Sequence, residues 1–227
     1  MITTTADGPV RVVTLDRPGR RNALTPDALD DLAATVTDAD EPVVYLGGAG
    51  DAFCAGADLD VVADLDAGDA PAFARKGQQV AHAIENADSV VVAGVDGAAR
   101  GGGVELALAC DLRLATDRAS FAESGVTLGL FGAWGGTARL PRVVGEADAM
   151  DLALSGRVVD AEEALRMGLV SRVVDDPRAV ADELAENDHE ALRVLKARMR
   201  DDASVSRQEA READAFGYLI ERADLDR

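Results

Sequence analysis

Residues 89–111, SVVVAGVDGAARGGGVELALACD, set the tightest limits on what this chain can fold into. The run opens with apolar residues and no alternation, so a strand there must be covered on both faces. Three consecutive glycines follow. A helix-length apolar stretch comes next, carrying one acid, Glu105. Glycine loses more backbone entropy on folding than any other residue, so a run of three serves a close approach of main chain to something. A carboxylate in an apolar helix is costly unless it is paired or used.

The rest of the chain fits the covered strand. VRVVTLDRP (residues 10–18) is β-branched and ends at a proline, so it reads as a strand. Thr25-Pro26-Asp27 is a helix start, with an N-cap, a proline at the first position and an acid in the first turn. Leu29, Leu32, Ala33 and Val36 give that helix one apolar stripe. PVVYLGGAG (42–50) reads as a buried strand entering a glycine-rich loop. Residues 64–71 read as a polar surface loop, 76–86 as a helix and 112–115 as a short strand. After about Gly156 helices dominate, at 161–167, 177–185, 190–199 and 205–222, with only LVSRVV between them. The order argues an α/β fold with mostly buried strands.

Charge excludes several partners. The 227 residues hold 42 acidic and 23 basic side chains, a formal net charge of −19. Nucleic acid and anionic membranes need a basic patch, so neither is expected as a partner. Lys76 and Lys196 are the only lysines, and aspartates outnumber glutamates more than twofold. Such a surface suits a cytosol with molar salt, where the Debye length is about 3 Å and self-repulsion is screened. We therefore expect a halophilic source. No apolar run approaches the roughly 20 residues that span a bilayer. MITTTADGPV lacks the basic start and apolar middle of a signal peptide, so a cytoplasmic location is expected. Cys54 and Cys110 read as core fillers without a histidine partner. His82 and His189 make no metal cluster, so no metal site is expected.

Two glycine-containing bends carry the chemistry. A helix that starts at Gly102 or Gly103 leaves its first N–H groups without intrahelical partners, and glycine leaves them accessible. Glu105 follows Gly102 by three residues, about one turn, so its carboxylate reaches the same space. A second open main-chain segment is AFCAGADL (52–59), around Gly56. Two N–H donors on one oxygen with a carboxylate alongside suit enolate chemistry, in which charge builds on a carbonyl while a proton moves at carbon.

At these residues the sequence resembles the crotonase, or enoyl-CoA hydratase/isomerase, superfamily. LDRPGRRNALTPDAL, AFCAGADL, ARGGGVELALACDLRLA and LGLFGAWGGTARLPRVVG match in order. LSGRVVDAEEALRMGLVSRVV continues the match, which spans most of residues 10–175. The resemblance implies a crotonase-like spiral of ββα units over residues 1–155. It implies a C-terminal helical trimerisation region over 156–227, shorter than usual for the family, in a homotrimer or a dimer of trimers. It also implies a coenzyme A thioester as substrate, with no permanently bound cofactor.

By position, the two oxyanion-hole N–H groups fall on Ala57 and Gly102, and the first catalytic glutamate on Glu105. Ala55, Gly56, Asp58, Leu59 and Gly101 fall along the ligand's path, with Arg17, Arg20 or Arg21 as phosphate partners. Trp134 falls beside the acyl chain, as pocket lining or as a core anchor. The family's second glutamate position is Gly125, which cannot transfer protons. Glu123 stands two residues earlier, about 7 Å away along an extended chain. The implied function is an enoyl-CoA hydratase or isomerase. The alternatives are a crotonase-type decarboxylase or thioester hydrolase, or a non-catalytic acyl-CoA-binding subunit, which the glycine at 125 would favour.

Overall fold

The β-branched runs become strands that sort into two sheets. In the computed structural model, which describes residues 1–224, β1 (Ile2–Asp7) and β2 (Val10–Leu15) form an antiparallel hairpin turning at Gly8. A single-turn 3₁₀ helix at Pro18–Arg20 leads to α1 (Pro26–Thr37), capped by the Thr25 hydroxyl accepting from Ala28 N. Three strand pairs follow: β3 (Val43–Gly48) with β4 (Ala52–Cys54), β5 (Val90–Val95) with β6 (Ala98–Arg100), and β7 (Leu112–Ala115) with β8 (Ser120–Ala122). Between them lie α2 (Leu59–Asp64), α3 (Ala70–Asn86) and α4 (Gly102–Ala109). The first strand of each pair joins a six-stranded sheet, order β1-β2-β3-β5-β7-β10, and the second a four-stranded sheet, order β4-β6-β8-β9. Each ββ step thus crosses from one sheet to the other, which is the expected spiral.

After β8 come α5 (Gly136–Val144), α6 (Glu146–Ser155), β9 (Val159–Asp160), α7 (Ala161–Arg166) and β10 (Arg172–Val173). The chain then runs through α8 (Pro177–Ala185), α9 (His189–Met199) and α10 (Val205–Ile220).

Strand β5 shows why its sequence lacks alternation. Val91, Ala93 and Val95 enter the main core with α1, α3 and α4, whereas Val90 and Val92 face a second cluster with Val180, Ala181 and Ala185 of α8. Gly94 lies on this second side. A Cβ there would come within 2.1 Å of the Tyr45 hydroxyl, so only glycine leaves room for the ring.

The structure differs from the sequence reading at several elements. Strand β1 was not expected; it is a solvent-facing edge whose side chains carry no hydrophobic pattern. Helix α3 begins at Ala70 with Pro71 in its first turn, so the polar loop shrinks to residues 65–69. Helices α5 and α6 already follow one another before residue 156; Pro141 inside α5 masks that element's signal. Strands β9 and β10, both beyond residue 155, pair with β8 and β7, so the sheets extend past the expected boundary. The end of the expected helical region, residues 225–227, lies outside the described residues.

A buried charge cluster locks α9 to this frame. Asp111 accepts from Val91 N at 2.8 Å and pairs with Lys196 Nζ at 2.9 Å and Arg200 Nη2 at 2.7 Å. Lys196, with a side chain 6% exposed, also donates to the carbonyls of Ile84 and Ser89. Asp111→Ala leaves that ammonium without a counter-ion, so we expect a loss of about 3–5 kcal/mol in denaturant unfolding. Lys196→Met should cost less, because Asp111 keeps Arg200.

Candidate active site

Every residue of α4 is buried, Glu105 included at 1% exposure. Its carboxylate is therefore served by main chain. Oε1 accepts from Trp134 N at 2.8 Å and Gly136 N at 2.6 Å. The donor segment passes so close that a Cβ on Gly132 or Gly136 would stand 2.7 or 2.8 Å from Glu105 atoms. Burial raises the Glu105 pKa, and the two N–H groups and Arg139 hold it back.

Trp134 is a core anchor. It is 3% exposed and stands edge-on to Phe73, ring centroids 6.1 Å apart. A Cβ on Gly77 or Gly102 would meet the indole at 2.1 or 2.3 Å. The indole thus wedges between α3 and the start of α4, as the core-anchor alternative expects.

The two glycine bends do abut. Gly56 has φ 81, and a Cβ on it would lie 2.8 Å from Gly102 N. Leu24 pairs with Ala57 as an isolated parallel bridge. Leu24 N donates to Gly56 O and Asp58 N to Leu24 O, which leaves Ala57 N unengaged. Gly102 N stands at the first position of α4, preceded by Gly101 at φ 45. Among the described residues neither Ala57 N nor Gly102 N has a protein acceptor. Leu59 begins α2 and is 57% exposed.

Asp58 has a structural duty. It is 2% exposed, caps α2 through Asp60 N, and pairs with Arg17 and with Arg20 Nη2. The Arg17 guanidinium holds its carboxyl down to about 2. That pairing engages Asp58, Arg17 and Arg20 with one another. Arg21 remains. With Ala55, Pro18, Asp51 and Arg100 it lines a cleft of about 410 Å³. Arg100 is bonded to the Ala99 and Ser120 carbonyls and the Ser120 hydroxyl. Burial and then the nearby Arg21 charge depress its pKa.

A second, apolar cavity of about 350 Å³ lies beneath α5 and α6, lined by Val126, Phe131, Leu140, Ala149, Met150 and others. Gly132 and Gly136, which abut Glu105, form part of its wall, and so does Glu123. The extended spacing assumed for Glu123 does not hold. Residues 124–128 wind into a 3₁₀ helix directly after it, so two residues advance about 4 Å. Glu123 is 8% exposed, and its buried Oε1 has no partner among the described residues. Burial and then the Glu105 charge push its carboxyl up to about 8. Gly125 faces elsewhere: a Cβ on it would stand 3.0 Å from Phe131 Cα, and its carbonyl accepts from Leu130 N. It is not among the residues lining this cavity.

Asn22 was missed in the sequence. Held at φ 58 and 1% exposed, it donates to the carbonyls of Ala49, Ala52 and Phe53 and accepts from Arg17 N, tying the loop before α1 to β4. An asparagine ahead of a helix cap was its only signal. Both thiols are buried and pushed up to about 12, chiefly by burial, as suits core fillers.

Comparison with known proteins agrees with this fold. A family profile described as enoyl-CoA hydratase/isomerase matches residues 5–225. A crotonyl-CoA hydratase from Syntrophomonas wolfei is 38% identical over 226 residues, covering 94% of this chain and 87% of that protein. A probable enoyl-CoA hydratase from Mycobacterium bovis is 39% identical over 158 residues, covering 66% of this chain and 60% of its own length. The crystal structure of enoyl-CoA hydratase from Thermoplasma volcanium superposes with a TM-score of 0.92 at 31% identity, covering 97% of this chain and 92% of that one. That of Bacillus anthracis enoyl-CoA hydratase gives 0.90 at 32%, covering 97% and 91%. The chain belongs to the enoyl-CoA hydratase/isomerase family.

Proposed function

We propose that this enzyme adds water across the double bond of a 2-enoyl-CoA thioester. One observation carries the reading. A buried carboxylate, Glu105, stands one turn from two abutting main-chain N–H groups that no protein atom accepts from among the described residues. The thioester oxygen sits on Ala57 N and Gly102 N. Water attacks the β carbon while Glu105 takes its proton, and the π electrons move onto the carbonyl, giving an enolate that those N–H groups stabilise. Protonation at the α carbon completes the addition. The apolar cavity beneath α5 and α6 takes the acyl chain. Arg21, beside Arg100 in the other cleft, meets the coenzyme A phosphates. The relatives named as hydratases favour hydration over isomerisation, decarboxylation or thioester hydrolysis.

The apolar residues exposed on α10, Val205, Phe216, Tyr218 and Ile220, support a homotrimeric or hexameric assembly. The net charge of −19 supports a halophilic, cytoplasmic setting. Among the described residues no helix is long and apolar enough to cross a membrane.

Three outcomes are expected. Glu105→Gln lowers kcat on crotonyl-CoA by about 10²–10⁴-fold; turnover equal to wild type refutes the reading. Arg21→Ala raises KM about tenfold with kcat unchanged, one tenfold step being about 1.4 kcal/mol; an unchanged KM removes Arg21 from the phosphate site. Light scattering and turnover in about 1 M against about 0.1 M KCl should show an active trimer or hexamer in high salt and loss of both in low salt. Equal behaviour in the two buffers rejects the salt adaptation, and a monomer in both rejects the assembly.

A further inference from the structure

We infer that Glu123 is the second catalytic carboxylate of this site, the general acid that delivers the proton to the substrate's α carbon, although Gly125 stands where the family places that group. The inference rests on the hydration reading above and names a residue for the step that reading leaves open.

Three features of the structure carry it. Glu123 is part of the wall of the apolar cavity, together with Gly132 and Gly136, and those glycines are in turn the close neighbours of Glu105. The segment that holds Glu105 thus also walls the cavity lined by Glu123, which directly follows β8. Second, Glu123 is more than nine-tenths buried, yet among the described residues its Oε1 has no hydrogen-bond partner. A purely structural buried carboxyl is normally satisfied by protein groups; this one is left for something in the cavity. Third, the position two residues on cannot compete. A side chain at 125 would run into the Phe131 main chain, with its Cβ already 3.0 Å from Phe131 Cα. The 3₁₀ turn that packs Gly125 against residues 130–131 is the same turn that begins directly after Glu123.

The surrounding charges suit a neutral acid. Glu105 lies behind Gly132 and Gly136, and Glu146 of α6 also lines the cavity. Arg100 of β6 is turned to Ser120, Asp160 of β9 caps α7, and Arg139 of α5 is engaged with Glu85. Among the described residues Glu123 thus has negative neighbours and no cation bonded to it, and it stays protonated up to about pH 8. Glu105, with two N–H groups on Oε1, is the partner that ionises first.

The steps balance. The water oxygen bonds to the β carbon, its proton passes to Glu105, and the π pair becomes the enolate. Glu123 then gives its proton to the α carbon as the carbonyl reforms. The site returns to its starting state when the Glu105 proton is passed to Glu123 through solvent. One water is consumed and no other reactant is needed.

Glu123→Gln and Glu123→Asp test this on the intact protein with crotonyl-CoA, in parallel with Glu105→Gln. For Glu123→Gln we expect kcat to fall about 10²–10⁴-fold with KM within a few-fold. The wild-type kcat/KM should decline above about pH 8, as the acid form is lost, and that alkaline limb should vanish in Glu123→Gln. Glu123→Asp keeps an acid on a shorter arm, so it should retain the limb at an intermediate rate. Thermal unfolding separates a structural role: a fall in Tm with kcat and the limb intact overturns the inference. Wild-type turnover in Glu123→Gln with loss in Glu105→Gln overturns this inference and leaves the hydration reading standing. Wild-type turnover in both overturns the hydration reading as well.

Discussion

The fold around the site depends on bringing a carboxylate into an apolar helix without leaving it unpaired. Helix α4 is buried on all sides, and Glu105 Oε1 is satisfied by main-chain N–H groups. An unpartnered carboxylate there would cost several kcal/mol, on the order of the penalty for a buried ion. Two main-chain N–H groups from residues 134 and 136 remove that cost, and only glycines at 132 and 136 let the segment approach closely enough. Trp134 stands between those glycines and drives its ring into the gap left by Gly77 and Gly102. One residue therefore sets the carboxylate through its backbone and the start of α4 through its side chain. The position of Glu105 and that of the Gly102 N–H are mechanically coupled.

The same economy explains which polar groups are spent on structure and which remain. Asp58 looked like a ligand contact because it follows the open AFCAGA bend. Its near-complete burial instead requires counter-charges, and Arg17 and Arg20 supply them. Asn22 joins three carbonyls of the neighbouring loop, so the bend is fixed from behind rather than by its own side chains. With those groups committed, Arg21 and Arg100 stand out. In a chain rich in aspartate, two neighbouring guanidiniums lining a cleft, with no carboxylate bonded to either among the described residues, mark where a negative ligand lowers the repulsion between them.

Much of this was legible in the sequence, and the rest was not for definite reasons. The unalternating run of β5 announced a sheet covered on both faces, and Val90 and Val91 do point into different cores. The burial of Glu105 was legible because its neighbours Val104, Leu106, Ala107 and Leu108 are all apolar. Strand β1 was not, since an edge strand facing solvent needs no pattern. Helix α5 was hidden by its internal proline. The place of Glu123 was hidden by a local winding: periodicity fixes which face a residue takes in an extended chain, and a 3₁₀ turn breaks that bookkeeping within two residues. Trp134 was ambiguous because an aromatic beside two glycines serves a pocket or a core equally well until the facing glycines, 77 and 102, are placed.

The two buried carboxyls also show how one site separates acid from base with a single residue type. Both are withdrawn from water, so desolvation alone would make both neutral. What separates them is hydrogen bonding to the charged form. Glu105 receives two main-chain N–H groups on one oxygen, whereas Glu123 Oε1 receives none among the described residues and also feels the Glu105 charge. Two groups whose environments push their proton affinities apart are the signature of assigned acid and base roles. Here the asymmetry comes from the Gly132–Gly136 segment, which bonds one carboxyl and lines the cavity beside the other. Its glycines fix both the geometry and the protonation order of the site.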